Sequence, residues 1–224
     1  MIPKILHVIW IGKKDPPRWC IDSWRKKYIN TYPEWEFMLW NEKEINKLTM
    51  INRTIYDLEP TLRGKSDIAR YEILYQYGGI FLDADSYWIE KENSDLNRLL
   101  EKDQNDFFCA NEPKNKKYFA NGVFGSSKNN IILMKIIEYL KDTYQEKKKK
   151  HPNKYDIWQV TGPVPFSKIV VNNLNSVTVF PHWYFFPEAY KKNNTSIKLD
   201  KLKDLFPDSF MYQYWLSHTN YYRE

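Results

Sequence analysis

The chain opens on an apolar run, KILHVIWI at residues 4–11, which predicts a buried strand closed by Gly12. The next stretch, DPPRWCIDSWRKKYINTYP, changes period. A proline-led loop leads into an amphipathic helix with Trp19, Ile21, Trp24 and Tyr28 near one face. EWEFMLW (34–40) alternates as a second strand, and Asn41 is placed to cap a short helix carrying Ile45 and Leu48. Residues 62–77, LRGKSDIARYEILYQY, predict a longer helix capped near Ser66 and stopped by Gly78-Gly79. Ile80-Phe81-Leu82 follows as a short buried strand. Residues 106–112 and 121–126 read as further strands, and 129–147 as a strong helix with Ile132, Ile136, Ile137 and Leu140 on one side. Gly162-Pro163 opens another helical stretch before a last strand at 177–180. This order implies an α/β sandwich around a largely parallel sheet. With no internal repeat and no linker, residues 1–224 read as a single domain.

Chemistry concentrates where the 80–82 run ends, in GGIFLDADSYW (78–88). Continued as a strand, Asp83 and Asp85 would point to one side, roughly 7 Å apart at the α-carbon. Two like charges at the mouth of a buried strand repel and lose hydration, so they require compensation. A hard divalent cation, bound through oxygen and shared with a diphosphate, would supply it. Exposed loop carboxylates are the plainer alternative. Asp67 and Arg70 stand three apart on the preceding helix and share a face. Packed back on the strand, that helix would bring both near the Asp pair; a surface ion pair is the bland reading of the same spacing. An arginine, carboxylates and a cation at the carboxyl edge of a parallel sheet suit a departing diphosphate.

Composition sharpens this only in part. Seventeen Tyr and nine Trp suit sites that stack rings or sugar faces, although amphipathic packing accounts for most aromatics in any core. The formal charge of +6 owes part of its excess to Lys147–Lys150, which reads as a solvated helix end before it reads as a patch. An anionic partner remains consistent: a nucleotide-sugar, a phosphorylated acceptor, or a membrane surface touched peripherally. No basic stripe interleaved with aromatics points to nucleic acid. Cys20 and Cys109 lack metal-ligand spacing and fit a reducing compartment. No run approaches the roughly 20 apolar residues of a membrane span, and the N-terminus lacks a signal-peptide core, so a cytoplasmic location is expected. His7 and His182 read as satisfied packing histidines.

Five blocks, taken together, resemble a known family. They are IPKILHVIWIG (2–12), CIDSW (20–24), SDIARYEILYQYGGIFLDAD (66–85), NGVFGSS (121–127) and TGP (161–163). In this order they are similar to the family 32 glycosyltransferases with a DxD motif, whose relatives include yeast α-mannosyltransferases, capsular polysaccharide enzymes and clostridial glucosylating toxins. The resemblance implies a GT-A type, Rossmann-like sandwich, a UDP- or GDP-linked sugar donor, a Mn2+ or Mg2+ ion, and transfer with retention to a glycan acceptor. It implies that Asp85 binds the metal directly, while Asp83 contacts the ribose and the metal shell. Asp67 and Arg70 match residues that hold donor-sugar hydroxyls and phosphate, and Asn121 lies in a segment facing the sugar. Trp10, a core residue on base rates, occupies the position of a ring that stacks on the nucleobase.

The C-terminal run MYQYWLSHTNYY (211–222) departs from the family's His-His-Trp-x-x-Ser-Trp-like ending. Aligning the tryptophans sets Gln213 where a histidine is common and His218 near the usual serine. His218 is then the candidate third metal ligand, from a shifted position, and Trp215 the candidate donor cover. Phe81 replaces a frequent tyrosine. The expected activity is a metal-dependent retaining hexosyl transfer within polysaccharide biosynthesis in a bacterium or virus. A catalytically impaired sugar-binding module and a nucleotide-sugar hydrolase are the rival readings.

Overall fold

A computed structural model describes residues 1–91, 95–153, 156–189 and 198–216. Its centre is a six-stranded sheet in the order β2-β1-β3-β6-β5-β7. The strands are β1 (Ile5–Ile9), β2 (Glu36–Trp40), β3 (Gly79–Leu82), β5 (Phe107–Asn111), β6 (Phe119–Ser126) and β7 (Thr178–Phe180). β1 pairs in parallel with β2 and β3, with Leu6 level with Ile80 and Val8 with Leu82. β5 pairs in parallel with β7, and β6 runs antiparallel to both β3 and β5. Five of the six strands therefore point one way, which is the largely parallel α/β sandwich expected. The exception has a simple cause. Only residues 112–118 join β5 to β6, a connection too short for the crossover that a parallel pair needs.

Helices cover both faces. Leu62–Tyr77, Ile131–Lys150 and Pro163–Val171 lie on one side. They bury Ile68, Tyr71, Leu74, Ile136, Leu140 and Phe166 against Phe81, Phe107 and Phe124 of the sheet. A helical segment over 18–31, with a π-type stretch at Ser23–Tyr28, covers the other. Its Ile21, Trp24 and Tyr28 pack on Leu6, Val8, Ile80 and Leu82, with Phe185, Phe186 and Phe210 extending the layer. β4 (Ser86–Trp88) and β8 (Met211–Gln213) form a separate antiparallel pair over Cys20, Tyr87, Tyr212 and Tyr214.

Local expectations met the structure unevenly. Asn41 does cap its helix, accepting from the N–H groups of Lys43 and Glu44. The 62–77 helix, however, is capped by Thr61, whose hydroxyl accepts from Gly64 N–H at 3.1 Å. Ser66 sits a turn inside that helix. Gly78 and Gly79 end it with φ of 68° and 105°, conformations that disfavour any residue with a β-carbon. Lys147–Lys150 form the last turn of Ile131–Lys150, where cations complement the exposed carbonyls. Lys148 there reaches the buried Glu59 at 2.9 Å. His7 is indeed a packing residue: its Nδ1 accepts from Trp40 Nε1 (3.0 Å) and its Nε2–H donates to the Gly78 carbonyl (2.8 Å). Burial then lowers its pKa to about 4. Among the described residues no helix is long and apolar enough to cross a membrane.

Candidate active site

β3 ends at Leu82 and the chain turns at once, with Ser86 N–H donating to the Asp83 carbonyl at 3.0 Å. Asp83 and Asp85 therefore lie in a tight turn between β3 and β4, and strand alternation is not what groups them. The turn is tied down from three sides. Asp83 N–H donates to the Gly122 carbonyl of β6 (2.9 Å), and Tyr214 N–H to the Asp85 carbonyl (3.0 Å). Trp24 Nε1 donates to the carbonyl and hydroxyl of Ser86, each at 3.2 Å. Gly122 is a requirement of this closeness: a β-carbon there would stand 2.5 Å from Asp83 Oδ2.

Arg70 reaches the turn from beneath. Its Nη1 lies 3.3 Å from Asp83 Oδ1 and its Nη2 3.3 Å from Asp67 Oδ1. Nη1 also donates to the Asn121 carbonyl (2.7 Å), Nη2 to Ser66 Oγ (3.1 Å), and the guanidinium stacks over Phe81 at 4.4 Å. The surface ion-pair reading fails, because Arg70 and Asp67 side chains are only 7% and 9% exposed. Asp67 is turned inward, accepting from Asn121 Nδ2 (2.9 Å) and Thr161 Oγ1 (3.0 Å). Asn121 Nδ2 also donates to Tyr71 Oη at 2.9 Å. In this structure Asp67 and the backbone carbonyl of Asn121 hold Arg70, while the Asn121 amide holds Asp67 and Tyr71. The phenylalanine at 81 supplies a ring face for that cation in place of a hydroxyl.

Asp85 belongs to the opposite flank. Its Oδ2 accepts from Leu216 N–H at 2.7 Å and its Oδ1 from Gln213 Nε2. The C-terminal segment thus grips Asp85 three times, twice at its carboxylate and once, through Tyr214 N–H, at its backbone carbonyl. Trp215 sits between those contacts with φ of 54°, a strained value for a bulky residue. Its ring lies 5.8 Å from Phe186, and its buried Nε1 finds no partner among the described residues. Trp10 lies just past β1, half-buried, with Nε1 donating to the Lys14 carbonyl at 2.8 Å. His218 lies outside the described residues.

The electrostatics are unbalanced. Three aspartates share one buried guanidinium. Burial raises the Asp67 carboxyl against the pull of Arg70, Thr161 and Asn121. Burial also raises Asp85, against the bonds from Leu216 and Gln213. Asp83 is pushed up to about 7 by burial, which Arg70 opposes and the Asp85 charge reinforces. Burial works against the charge on Arg70, but Asp83 and Asp67 more than restore it. An added cation would relieve this surplus. Asp83 keeps a third of its side chain open to receive one (33% exposed). Gln213 Oε1 is buried beside Asp85 without a partner among the described residues. Carboxylate and amide oxygens are hard donors that suit Mg2+ or Mn2+. Among the described residues no three His, Cys, Asp or Glu side chains group into a fuller set. The residues present fit a hard divalent ion held partly by a ligand outside the protein.

Gln213, Thr161 and Glu112 were not singled out as partners of this site by sequence spacing. Gln213 meets Asp85 across 128 positions and Thr161 meets Asp67 across 94, distances that no local pattern spans. Glu112 lies just beyond β5, 9% exposed, and its charge adds to the upward shift of Asp83. A cleft of about 360 Å³ lined by Lys91, Arg98, Lys102 and Trp183 lies apart from the turn and includes neither aspartate.

With the turn, its arginine and its C-terminal grip in view, the class follows. Residues 18–106 match the glycosyltransferase sugar-binding region containing the DXD motif. Over those residues the chain is similar to that DXD family, and its fold is of the GT-A type. It is 28% identical over 200 residues to inositol phosphoceramide mannosyltransferase 3 of Schizosaccharomyces pombe, which covers 86% of this chain and 52% of that protein. The chain thus spans about half the length of that curated relative. Among solved structures, the PaToxG glycosyltransferase superposes with a TM-score of 0.57 at 18% identity, over 78% of this chain and 70% of that one. The UDP-bound glycosyltransferase domain of the YGT toxin gives 0.53 at 10% identity, over 80% and 79%.

Proposed function

We propose that the protein is a metal-dependent, retaining glycosyltransferase that moves a hexose from a UDP- or GDP-linked donor to a hydroxyl of a glycan or glycoconjugate acceptor. The observation that carries this reading is the carboxylate surplus of the Asp83–Asp85 turn above a single buried Arg70. Such a surplus of carboxylates suits a divalent cation, and a diphosphate brings further ligands for one. A Mn2+ or Mg2+ ion on Asp83 and Asp85, completed by Gln213 or His218, would supply Lewis-acid neutralisation of the leaving diphosphate.

The chain's own residues do the rest. Asp67, Asn121 and Ser66 hold the guanidinium of Arg70 rigidly, so Asp83 meets its ligand without reorganisation. Arg70 keeps a positive field under the position of the diphosphate. Trp10, just past β1, would stack on the nucleobase, an interaction worth about 1–3 kcal/mol. The segment Gln213–Leu216, anchored on Asp85, would bring Trp215 over the donor and exclude water. Likeness to the Schizosaccharomyces pombe mannosyltransferase favours mannose as the sugar, and likeness to the UDP-bound toxin domain favours UDP as the carrier.

Calorimetry with GDP-mannose and UDP-hexoses, with and without Mn2+, followed by assay of nucleotide release and of the product anomer, tests the reading. Mn2+-dependent binding and transfer to a glycan acceptor with retention are expected. Free sugar as the sole product with acceptors present would mark a hydrolase, and binding without turnover a module that has lost catalysis.

A further inference from the structure

The cleft of about 360 Å³ that excludes both aspartates carries its own chemistry. Three cations, Lys91, Arg98 and Lys102, line it against one carboxylate, Asp208. Trp183 forms part of the wall and, at 47% exposed, is the most open tryptophan among the described residues. Neighbouring groups hold these side chains in place. The Lys91 ammonium is anchored on the carbonyls of Phe206 (3.3 Å) and Pro207. Lys102 meets the hydroxyl of Tyr184 (3.3 Å) and lies 5.5 Å over its ring, two partners that leave its charge unneutralised. Trp183 sits in a single 3-10 turn, His182–Tyr184, and its carbonyl accepts from Ser209 Oγ at 2.5 Å. A flat ring beside fixed cations suits a ligand with an apolar ring face and an anionic group.

The topology places this cleft on the side of the turn that faces away from Trp10. Trp10 follows β1, Asp83 follows β3, and Trp183 follows β7 at the far edge of the sheet, three strands that run the same way. A donor lying from Asp83 towards Trp10 leaves the β7 side to the acceptor. One short segment joins the cleft to the turn. Phe186 N–H donates to the His182 carbonyl (2.6 Å), and the Phe186 ring lies 5.8 Å from Trp215. Trp183 and Phe186 are three residues apart, so their α-carbons stand within about 11 Å. A short oligosaccharide spans that distance.

We propose that the Lys91–Arg98–Lys102–Trp183 cleft is an acceptor subsite for a sugar bearing an oxyanion, a phosphate or a carboxylate, held some way from the hydroxyl that receives the transferred sugar. This inference rests on the glycosyltransferase reading. The experiment is saturation-transfer NMR in EDTA with methyl α-glucoside, its 6-phosphate, methyl α-glucuronide and inorganic phosphate, on the wild type, Arg98→Ala, Lys102→Ala and Trp183→Ala. At least one anionic sugar should bind about tenfold tighter than methyl α-glucoside and than inorganic phosphate. Arg98→Ala and Lys102→Ala should each weaken that sugar about three- to tenfold. Trp183→Ala should weaken it at least about threefold and leave inorganic phosphate within twofold. Adding Mn2+ and the sugar nucleotide that the wild type binds should change its affinity by less than twofold, as for separate sites. Anionic sugars bound no better than the neutral one or than phosphate would overturn the proposal. So would unchanged affinity in the three variants, or displacement by the sugar nucleotide. Each of these results leaves the parent reading standing. Failure of the wild type to bind GDP-mannose or UDP-hexoses with Mn2+ would overturn that reading, and the acceptor role with it.

Discussion

Asp83 and Asp85 stand two residues apart, yet different segments of the chain hold them. Asp83 leans on Arg70, whose own setting is built by the 62–77 helix and the start of β6. That flank is buried, cross-linked by Asp67, Asn121 and Thr161, and rigid. Asp85 is gripped by Gln213, Tyr214 and Leu216, the end of β8 and the residues just after it. That flank includes a strained Trp215 and two buried polar atoms without partners among the described residues. One side resembles a fixed jaw and the other a jaw that can exchange partners. A cation between the two would take over the Asp85 bonds that the C-terminal segment now makes, so donor binding and rearrangement of that segment become one event.

The largest effect should come from breaking the rigid jaw. Arg70→Ala leaves Asp67 and Asp83 buried without their cation and should cost about 3–5 kcal/mol in stability, read by denaturant unfolding. Next, Asp83→Ala and Asp85→Ala should each lower transfer by at least about a hundredfold while the protein stays folded. The pair should differ elsewhere. Hydrogen exchange over residues 211–216 should quicken in Asp85→Ala and stay unchanged in Asp83→Ala, and identical profiles would erase the distinction between the jaws. Gly122→Ala comes third. Its methyl displaces Asp83 Oδ2, so donor affinity should fall about tenfold, with Tm lowered by no more than about 2–4 °C.

Much of the rigid jaw was legible in the chain. The 62–77 periodicity, the Gly78-Gly79 stop and the i,i+3 spacing of Asp67 and Arg70 are local signals, and the structure keeps all three. The cap was misplaced because Thr61 and Ser66 are equally plausible as residue types; Ser66 instead serves Arg70 from within the helix. The Asp pair was legible as chemistry but not as geometry, since a turn and a strand end share the same short sequence. The mobile jaw was scarcely legible. Which oxygen of Asp85 meets residue 213 depends on how β8 pairs with β4, and that register arises only in the folded sheet. Glu112 shows the same limit. A polar residue ending a strand looks like any surface acid until the fold buries it.

The smallest effect is a pH dependence. Burial sets the Asp83 carboxyl at about 7 in the metal-free protein, above its ordinary value of 3.8. Its protonated form therefore favours folding, and that contribution is complete below about pH 3.8 and lost as pH rises through about 7. Asp83→Asn should match the wild type near pH 4 and melt about 2–4 °C higher at pH 8, both in EDTA. Mn2+ with nucleotide should reverse the order at pH 8, because only the wild type binds it.

The most direct test of the two-aspartate clasp is a Mn2+ titration followed by electron paramagnetic resonance, with GDP or UDP present, on the wild type, Asp83→Ala and Asp85→Ala. The clasp requires one nucleotide-dependent Mn2+ per wild-type chain and at least a tenfold weaker site in both variants. Mn2+ bound equally well by all three proteins would contradict it.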